Sequence, residues 1–249
     1  MRARIKNFSL SLSVFLVLVL CWEGSTHNSA SRQFLFGSPT LLISVARKDL
    51  STISFWWDIL ITFSEALLGL LVGTTLGTAC GVTLWMLPRV SRILSPYIAS
   101  LGAIPIFAIS PMITIWFGTG YFAKIAIVTL STLFVSMAQA LHGATHASGS
   151  FSSYGDSLGV SRSRLAQKVV LPGAYNWILE GIKLNIGLAF TGALLGEFLS
   201  SEAGLGHYIF RAGALYDTPR ILLGVTMLAT ISAAASSTIR WRQVARRIQ

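Results

Sequence analysis

Residues 156–172 read D-S-L-G-V-S-R-S-R-L-A-Q-K-V-V-L-P, a polar and basic segment between two strongly apolar parts of the chain. Gly159 is followed by nine residues and then by Val169, one further residue, Leu171 and Pro172. Positive charge between apolar segments is typical of the cytoplasmic side of a membrane protein. Since the segment also ends at a proline before the next apolar run, it is predicted to form a cytoplasmic loop that docks to a soluble partner.

Composition places the whole chain in a membrane. Of the 249 residues, 53% are hydrophobic and 11% are charged, whereas about a quarter of the residues in soluble domains are charged. The net charge of +10 does not indicate nucleic-acid binding, because the basic residues lie between apolar segments and do not cluster. Cys21 and Cys80 lie in apolar segments, so we expect buried, small hydrophobic side chains and neither a disulfide nor a metal site.

The apolar runs set the number of spans, since a helix needs about 20 apolar residues to cross the hydrocarbon core. They predict an all-α membrane protein with about six transmembrane helices: residues 8–22, 57–87, 93–116, 121–141, 175–199 and 221–239. The first run also fits a secretory signal peptide, but no good cleavage site follows it, so a retained helix is favoured. The predicted regions are an N-terminal helix with the start of an external segment (1–30), the rest of that segment (31–56), and a core (57–249) with a cytoplasmic loop at 142–174.

Basic residues predict the orientation of these spans. Twelve of them lie near the two termini and in alternate connections, at positions 2, 4, 6, 89, 92, 162, 164, 168, 240, 242, 246 and 247. The opposite connections hold five, at positions 32, 47, 48, 211 and 220. Because connections rich in lysine and arginine stay in the cytoplasm, both termini are predicted to be cytoplasmic.

Glycine and proline patterns indicate how the spans pack. Four glycines recur every fourth residue in the second run, and such a stripe lets another helix approach closely: Gly69, Gly73, Gly77 and Gly81. Pro105 and Pro111 lie inside the third run and are predicted to kink it. The sequence leaves open whether these kinks are purely structural or shape a translocation path.

Ionisable residues within the spans are functional candidates because burying them in a membrane is costly. Glu180 and Lys183 are three residues apart on a predicted helix and are expected to pair. Glu65 and Glu197 lie in the outer third of their spans and are expected to reach water. Glu197 is the stronger candidate for a functional role.

Catalytic and metal-binding motifs are missing from the sequence. His142 and His146 have helical i, i+4 spacing, but no third ligand of matching type lies nearby in sequence apart from Asp156, so we interpret them as histidines at a helix end. The sequence contains no phosphate-binding loop, no zinc-protease motif and no nucleophile motif on a suitable scaffold. If ATP drives this protein, another chain must hydrolyse it.

Several segments together resemble a known family. They are the G-x9-V-x-L-P pattern of the basic loop, L-F-G-S-P-T at 35–40, I-P-I-F-A-I-S-P-M-I-T-I-W-F-G at 104–118, and G-L-A-F-T-G-A-L-L-G-E-F-L-S-S-E-A-G-L-G-H-Y-I at 187–209. In this order they resemble permease subunits of ABC importers of the nitrate, sulfonate, taurine and bicarbonate type, the binding-protein-dependent inner membrane components. The resemblance covers the chain from about residue 35 to its end.

The resemblance implies a type I ABC importer permease fold in the inner membrane of a bacterium. It implies a second permease copy, two cytoplasmic ATPases that hold ATP and magnesium, and an external solute-binding protein. The chain itself is then neither an enzyme nor a cofactor-binding protein. The basic loop, called the EAA loop in the family, would hold a coupling helix at residues 153–163, with Leu171 and Pro172 ending the loop.

The resemblance also assigns candidate residues. Those expected to dock the ATPase are Ser153, Tyr154, Gly155, Asp156, Leu158, Gly159, Val160, Arg162, Leu171 and Pro172. The kinks at Pro105 and Pro111 and the embedded charge of Glu197, rather than the resemblance, make these three residues the candidates for a translocation path. Where the family has Glu-Ala-Ala, this chain has Ser153-Tyr154-Gly155, which reflects either family variation or an altered ATPase groove.

The leading interpretation is therefore an ATP-driven importer of a small solute, with an anion such as a sulfonate, taurine or nitrate favoured and a pyrimidine or flavin kept open. The main alternative is a secondary transporter or channel that works without ATP. Inverted repeats or paired charges inside the membrane would favour that alternative. An intramembrane enzyme is a third class, for which the two histidines are the only candidates.

Overall fold

The computed structural model describes residues 2–149, 161–200 and 202–247, and no β-strand occurs among them. The helices are α1 (Arg2–His27), α2 (Ala30–Phe36), α3 (Pro39–Asp49), α4 (Ile53–Met86), α5 (Pro88–Ala103), α6 (Ile106–Phe117), α7 (Tyr121–Ser148), α8 (Arg162–Leu165), α9 (Leu171–Ser200), α10 (Leu205–Ala214) and α11 (Thr218–Arg247). A π-helical turn, Ala166–Val170, joins α8 to α9. The predicted all-α membrane architecture is confirmed.

Four helical stretches are long and apolar enough to cross a membrane: Ile53–Met86, Tyr121–Ser148, Arg162–Leu199 and Thr218–Ser237. The bent pair α5 and α6 counts as a fifth if it forms one span. The described apolar part of α1, Ser13–His27, is shorter than a full span. Within the part of the chain that the structure describes there are thus four to five spans, where the sequence predicted about six.

The third predicted span is not one helix. α5 and α6 meet at 91°, and the break falls at Ile104 and Pro105, which have extended backbone angles. A proline disfavours helical geometry in the residue before it, which explains a break at this point. Pro111 behaves differently and lies within a continuous α6. The Phe107 carbonyl that its missing N–H would have bonded accepts a 2.9 Å hydrogen bond from Ser110 Oγ.

The core of the molecule is the packing of α4 and α9 against α7. The four glycines of α4 face α7 so closely that an added Cβ would overlap it. At Gly73 that Cβ would lie 2.6 Å from the Thr129 carbonyl oxygen, and at Gly77 it would lie 2.7 Å from Ser136 Cβ. Gly69 and Gly81 have equally close neighbours, each at 2.5 Å: Val128 Cγ1 and the Met137 carbonyl oxygen respectively.

The two ends of this bundle hold different features. We call the end with the α9–α10 connection the outer end, following the predicted orientation, and the end with α8 the inner end. At the outer end, Asp49 of α3 accepts hydrogen bonds from Tyr208 Oη (2.6 Å) and Arg220 Nε (3.0 Å). The predicted external segment is therefore folded, and α3 is fixed to α10 and α11.

The cysteines differ from expectation. Both Cys21 and Cys80 are exposed on the surface of the chain, so the prediction that they are buried is wrong. They lie among many exposed apolar side chains, including Leu18, Leu20 and Leu76. A surface of this kind is expected where lipid or another subunit covers the helices.

Candidate functional site

The inner end carries the described part of the predicted ATPase-docking loop. Arg162 is exposed and begins α8, whereas Leu171 and Pro172 begin α9. The remaining docking candidates lie outside the described residues: Ser153, Tyr154, Gly155, Asp156, Leu158, Gly159 and Val160. Pro172 does not end the loop as predicted, because helical structure already runs from position 162.

The π-helical turn explains how the chain passes through this proline. A proline inside a helix removes one hydrogen bond to the carbonyl four residues earlier. Just before Pro172 the backbone is widened, and the Leu171 N–H bonds to the carbonyl of Ala166, five residues back. Such single π-helical turns inside α-helices often mark functional positions.

The segment around α8 packs against the inner ends of α4 and α7. Leu165 and Val170 are buried and pack with Ala144 of α7 and Trp85 of α4. Trp85 Nε1 also donates a 3.1 Å hydrogen bond to Ser148 Oγ. The inner ends of α4, α7 and α9 are thus joined at the place where the docking loop emerges.

Close glycine contacts tighten the same junction. A Cβ at Gly143 would lie 2.6 Å from Trp177 Cβ, and one at Gly173 would lie 2.7 Å from Ala147 Cβ. A cavity of about 350 Å³ beside the junction is lined by Trp85 and Arg162, among other residues. The described residues at this end are therefore closely packed, and Arg162 adds a positive charge to them.

The outer end carries Glu197, a predicted translocation residue that the structure buries. Its side chain belongs to α9, and the residue is 1% exposed. Thr62 Oγ1 donates a 2.6 Å hydrogen bond to Glu197 Oε1, and the Gly206 N–H donates to Oε2. The expectation that Glu197 reaches water is wrong, because α4 and the start of α10 enclose it.

Two further hydrogen bonds complete this arrangement. The Leu205 N–H donates to Thr62 Oγ1 and the Gly204 N–H donates to Asp58 Oδ1, each at a distance of 2.8 Å. We define the Glu197 clamp as the side chains of Asp58, Thr62 and Glu197 together with the N–H groups of residues 204–206. These three N–H groups begin α10 and lack partners in their own helix.

Two glycines at the start of α10, Gly204 and Gly206, lie against the Glu197 carboxylate. Gly204 has φ 113° and ψ 161°, a conformation essentially confined to glycine. A Cβ at Gly206 would lie 2.6 Å from Glu197 Oε2, and one at Gly204 would also overlap the carboxylate. The G-L-G sequence is therefore needed for the backbone to surround this side chain.

A buried ion pair lies next to the clamp. Lys124 Nζ of α7 lies 2.7 Å from Glu65 Oε1 of α4, with the Glu65 side chain fully buried and the Lys124 side chain 8% exposed. The pair lies beside the clamp, since a Cβ at Gly196, the neighbour of Glu197, would lie 3.0 Å from Lys124 Cγ. The expectation that Glu65 reaches water is wrong. Sequence reasoning also missed Lys124, whose only signal was a charge three residues inside a predicted span.

Other candidates lie apart from the clamp. Lys183 and Glu180 form the predicted pair at 2.7 Å, on a more exposed face of α9. His142 Nδ1 lies 3.2 Å from the Ala138 carbonyl oxygen, and the His146 ring lies 5.9 Å from Trp177. Among the described residues, no group of three or more metal-binding side chains is placed to hold an ion.

Two cavities adjoin the outer half of the bundle. One of about 490 Å³ lies between α4, α9 and α11 and is almost entirely apolar, with Phe63, Phe190 and Ile231 in its lining. The other, of about 470 Å³, is polar and is lined by Asp49, Asp58, Glu202, His207, Arg211 and Arg220, among others. Asp58 therefore belongs both to the polar cavity and to the Glu197 clamp.

Comparison with known sequences identifies the family. Residues 69–245, which make up most of the chain, match the family described as "Binding-protein-dependent transport system inner membrane component". The chain belongs to this family. The permease is 30% identical to the riboflavin transport system permease protein RibX of Chloroflexus aurantiacus, over 90% of this chain and 84% of that protein. It is 28% identical to the taurine transport system permease protein TauC of Escherichia coli, over 91% and 84%.

A third relative and a solved structure extend the comparison. The permease is 25% identical to the formylaminopyrimidine transport permease protein ThiX of Halalkalibacterium halodurans, over 92% of this chain and 94% of that protein. A chain of the MetNI methionine ABC transporter, solved in inward-facing conformations, matches with a TM-score of 0.60 at 17% identity. The match covers 76% of this chain and 98% of that one, and it confirms the predicted type I importer permease fold.

Proposed function

We propose that the permease is the transmembrane subunit of an ATP-driven importer in a bacterial inner membrane. A second copy completes the translocation path, and separate cytoplasmic ATPases hold ATP and magnesium. An external binding protein delivers the solute. Membership of the binding-protein-dependent family supports this assembly, as does the inner junction from which the docking loop leaves.

The observation that carries the proposal is the continuous helical stretch Arg162–Leu199. Its inner end includes the docking candidate Arg162, and its outer end carries Glu197. The buried packing of Leu165 and Val170 on α4 and α7 favours movement of the inner ends as one body. Closure of ATPases under the loop would then tilt packed helices, a rigid-body change between two states.

The solute we propose is a small anion of the sulfonate or taurine type. Relatives named for taurine and riboflavin transport cover about nine-tenths of this chain at similar identity, so a flavin or a pyrimidine is the competing class. Uptake of labelled taurine into proteoliposomes with the ATPase and binding protein distinguishes them. Competition by an alkyl sulfonate supports the anion, whereas competition by riboflavin alone refutes it.

The test of the assembly is capture of the ATPase by the co-expressed permease. We expect wild type to retain the ATPase through detergent purification and the double variant Leu158→Asp, Gly159→Pro to lose it, because these positions carry the predicted docking contact. Leu215→Asp is the matched control: Leu215 is 70% exposed on the outer side, and this variant should retain the ATPase. Equal capture by the double variant and wild type would contradict the proposed docking site.

A second candidate, ATP-independent transport, is favoured by one observation. The buried Glu65–Lys124 pair beside Glu197 is the kind of intramembrane charge found in ion-coupled carriers. Inactivating the partner ATPase by replacing its phosphate-binding lysine decides between the two. Loss of uptake supports the importer, whereas uptake that persists and is abolished by a protonophore supports the carrier.

A further inference from the structure

We infer that Asp58, Thr62 and Glu197 are positioning residues that fix α10 to the packed core of α4, α7 and α9. When the external binding protein presses on α10, the displacement is then transmitted to the ATPase-docking end. This inference rests on the proposed function. It concerns transmission between the two sides of the membrane and assigns a role to buried groups that docking leaves unexplained.

The start of α10 is held by other helices. Helices usually begin at a residue whose own side chain accepts from the first free N–H groups. The residue that caps the start of α10 is Gly204, which has no such side chain. Its first N–H groups bond instead to Asp58 and Thr62 of α4 and to Glu197 of α9. Breaking these bonds would leave buried donors unpaired, which is costly.

Charge strengthens the same attachment. The N-terminal end of a helix carries partial positive charge and favours carboxylates nearby. Glu197 lies there in a buried position, and Asp58 lies at the edge of the polar cavity. The adjacent Glu65–Lys124 ion pair ties α7 to α4 at the same depth. The clamp region therefore joins α4, α7, α9 and α10.

The outward-facing part of α10 is where a load can act. His207 and Arg211 line the outer polar cavity, and Phe210 is 54% exposed. Farther along, Leu215 and Tyr216 follow α10 and are largely exposed. A partner that touches this surface touches a helix whose first turn is bonded to the core.

The inner end is reached through one helical stretch. Glu197 lies near the end of the 38-residue stretch Arg162–Leu199, which spans roughly 57 Å at 1.5 Å per residue. Its other end is the α8 junction with Trp85 and Ala144. One helical stretch thus carries both the clamp and the docking end, with the π-helical turn as its one widened place within the described part.

The test measures how far a solute-loaded binding protein stimulates ATP hydrolysis by the reconstituted permease–ATPase complex. Thr62→Val keeps the side-chain shape and removes the bonds to Glu197 and to the Leu205 N–H. We expect it to lower the stimulation by about fivefold or more, within the range of ordinary coupling energies. Capture of the ATPase and basal hydrolysis should stay within about twofold of wild type.

Two controls separate transmission from stability. Thr62→Ser retains the hydroxyl and should restore stimulation. Thr74→Val removes a buried hydroxyl from the same helix, and among the described residues this hydroxyl donates to the Leu70 and Leu71 carbonyl groups of that helix. It should leave stimulation unchanged. If Thr62→Val does not fold, Asp58→Asn at the wetter edge of the clamp decides, with a smaller expected loss.

The outcomes are distinguishable. The inference is overturned if the loaded binding protein stimulates ATP hydrolysis by Thr62→Val as strongly as by wild type. It is also overturned if Thr74→Val loses as much stimulation as Thr62→Val does. Where Asp58→Asn is the deciding variant, wild-type stimulation of Asp58→Asn overturns the inference. If wild type neither captures the ATPase nor responds to the binding protein, the proposed function has failed before the clamp is tested.

Discussion

Replacing Gly73 by alanine should push α4 and α7 apart. The new Cβ would lie 2.6 Å from the Thr129 carbonyl oxygen, and ordinary contacts begin at 3.4 Å, so the gap must widen by 0.8 Å. The obstacle is backbone and cannot rotate away. Overpacking of this kind costs about 1–3 kcal/mol, and alanine returns about 0.5–1 kcal/mol in a helix. Since backbone cannot move aside as a side chain can, the upper part of the overpacking range, about 2–3 kcal/mol, applies. After the return of up to about 1 kcal/mol, we expect a net loss of about 1–2 kcal/mol in the free energy of unfolding.

The assay is thermal unfolding of the purified permease in detergent, and the loss of the monodisperse peak is the readout. For a chain of this size, each kcal/mol shifts Tm by about 2–4 °C, so Tm should fall by about 2–8 °C. Gly187→Ala is the matched control, because Gly187 lies in α9 with nothing within 4 Å of its added Cβ. It should leave Tm unchanged or raise it. A Gly73→Ala variant that melts with wild type would refute the assignment of this stripe to helix packing.

Three further predictions concern charge and orientation. Lys124→Met should destabilise the permease by about 3–5 kcal/mol, because it leaves Glu65 buried without its cation, whereas Lys183→Met should cost at most about 1 kcal/mol; denaturant unfolding compares them. Burial, and then the hydrogen bond to Asp49, raise the pKa of Tyr208 above its ordinary value. The free energy of unfolding should therefore fall as pH rises beyond about 10, where the unfolded chain loses this proton first. Tyr208→Phe should make that fall smaller. Alkaline phosphatase should be active when fused after position 50 and inactive at the C-terminus, and the reverse would overturn the predicted orientation.

The sequence predicted most of the span pattern because hydrophobic length is a property of each segment alone. The second, fourth, fifth and sixth runs correspond to α4, α7, α9 and α11. The third run failed because hydropathy does not record backbone direction. Its two prolines look alike in sequence, yet only Pro105 lies at the break. The difference depends on whether a neighbouring group can satisfy the freed carbonyl, as Ser110 does near Pro111.

The candidate site was less predictable because its members come from distant parts of the chain. Glu197 and Thr62 are 135 residues apart, and no spacing rule relates them. The sequence singled out Glu197 because a charged residue inside a span is costly, but it placed the side chain in contact with water, whereas the residue is 1% exposed. The G-L-G segment two turns later offered the one local signal, since paired glycines indicate close approach of another group. Which group approaches depends on tertiary packing.

The same packing bears on the choice between importer and ion-coupled carrier. A carrier's carboxylate must exchange its partners as ions or protons bind and leave. Both oxygens of Glu197 already accept from Thr62 and from the start of α10, and glycines surround the group so closely that little space remains for a hydrated ion. Glu65 has Lys124 as its counter-charge in an equally dry position. These contacts favour a fixed attachment between helices over exchange of ions. The buried charges, which first pointed to a carrier, therefore fit better as the contacts that hold the outer ends of the helices together in a permease that moves as one body.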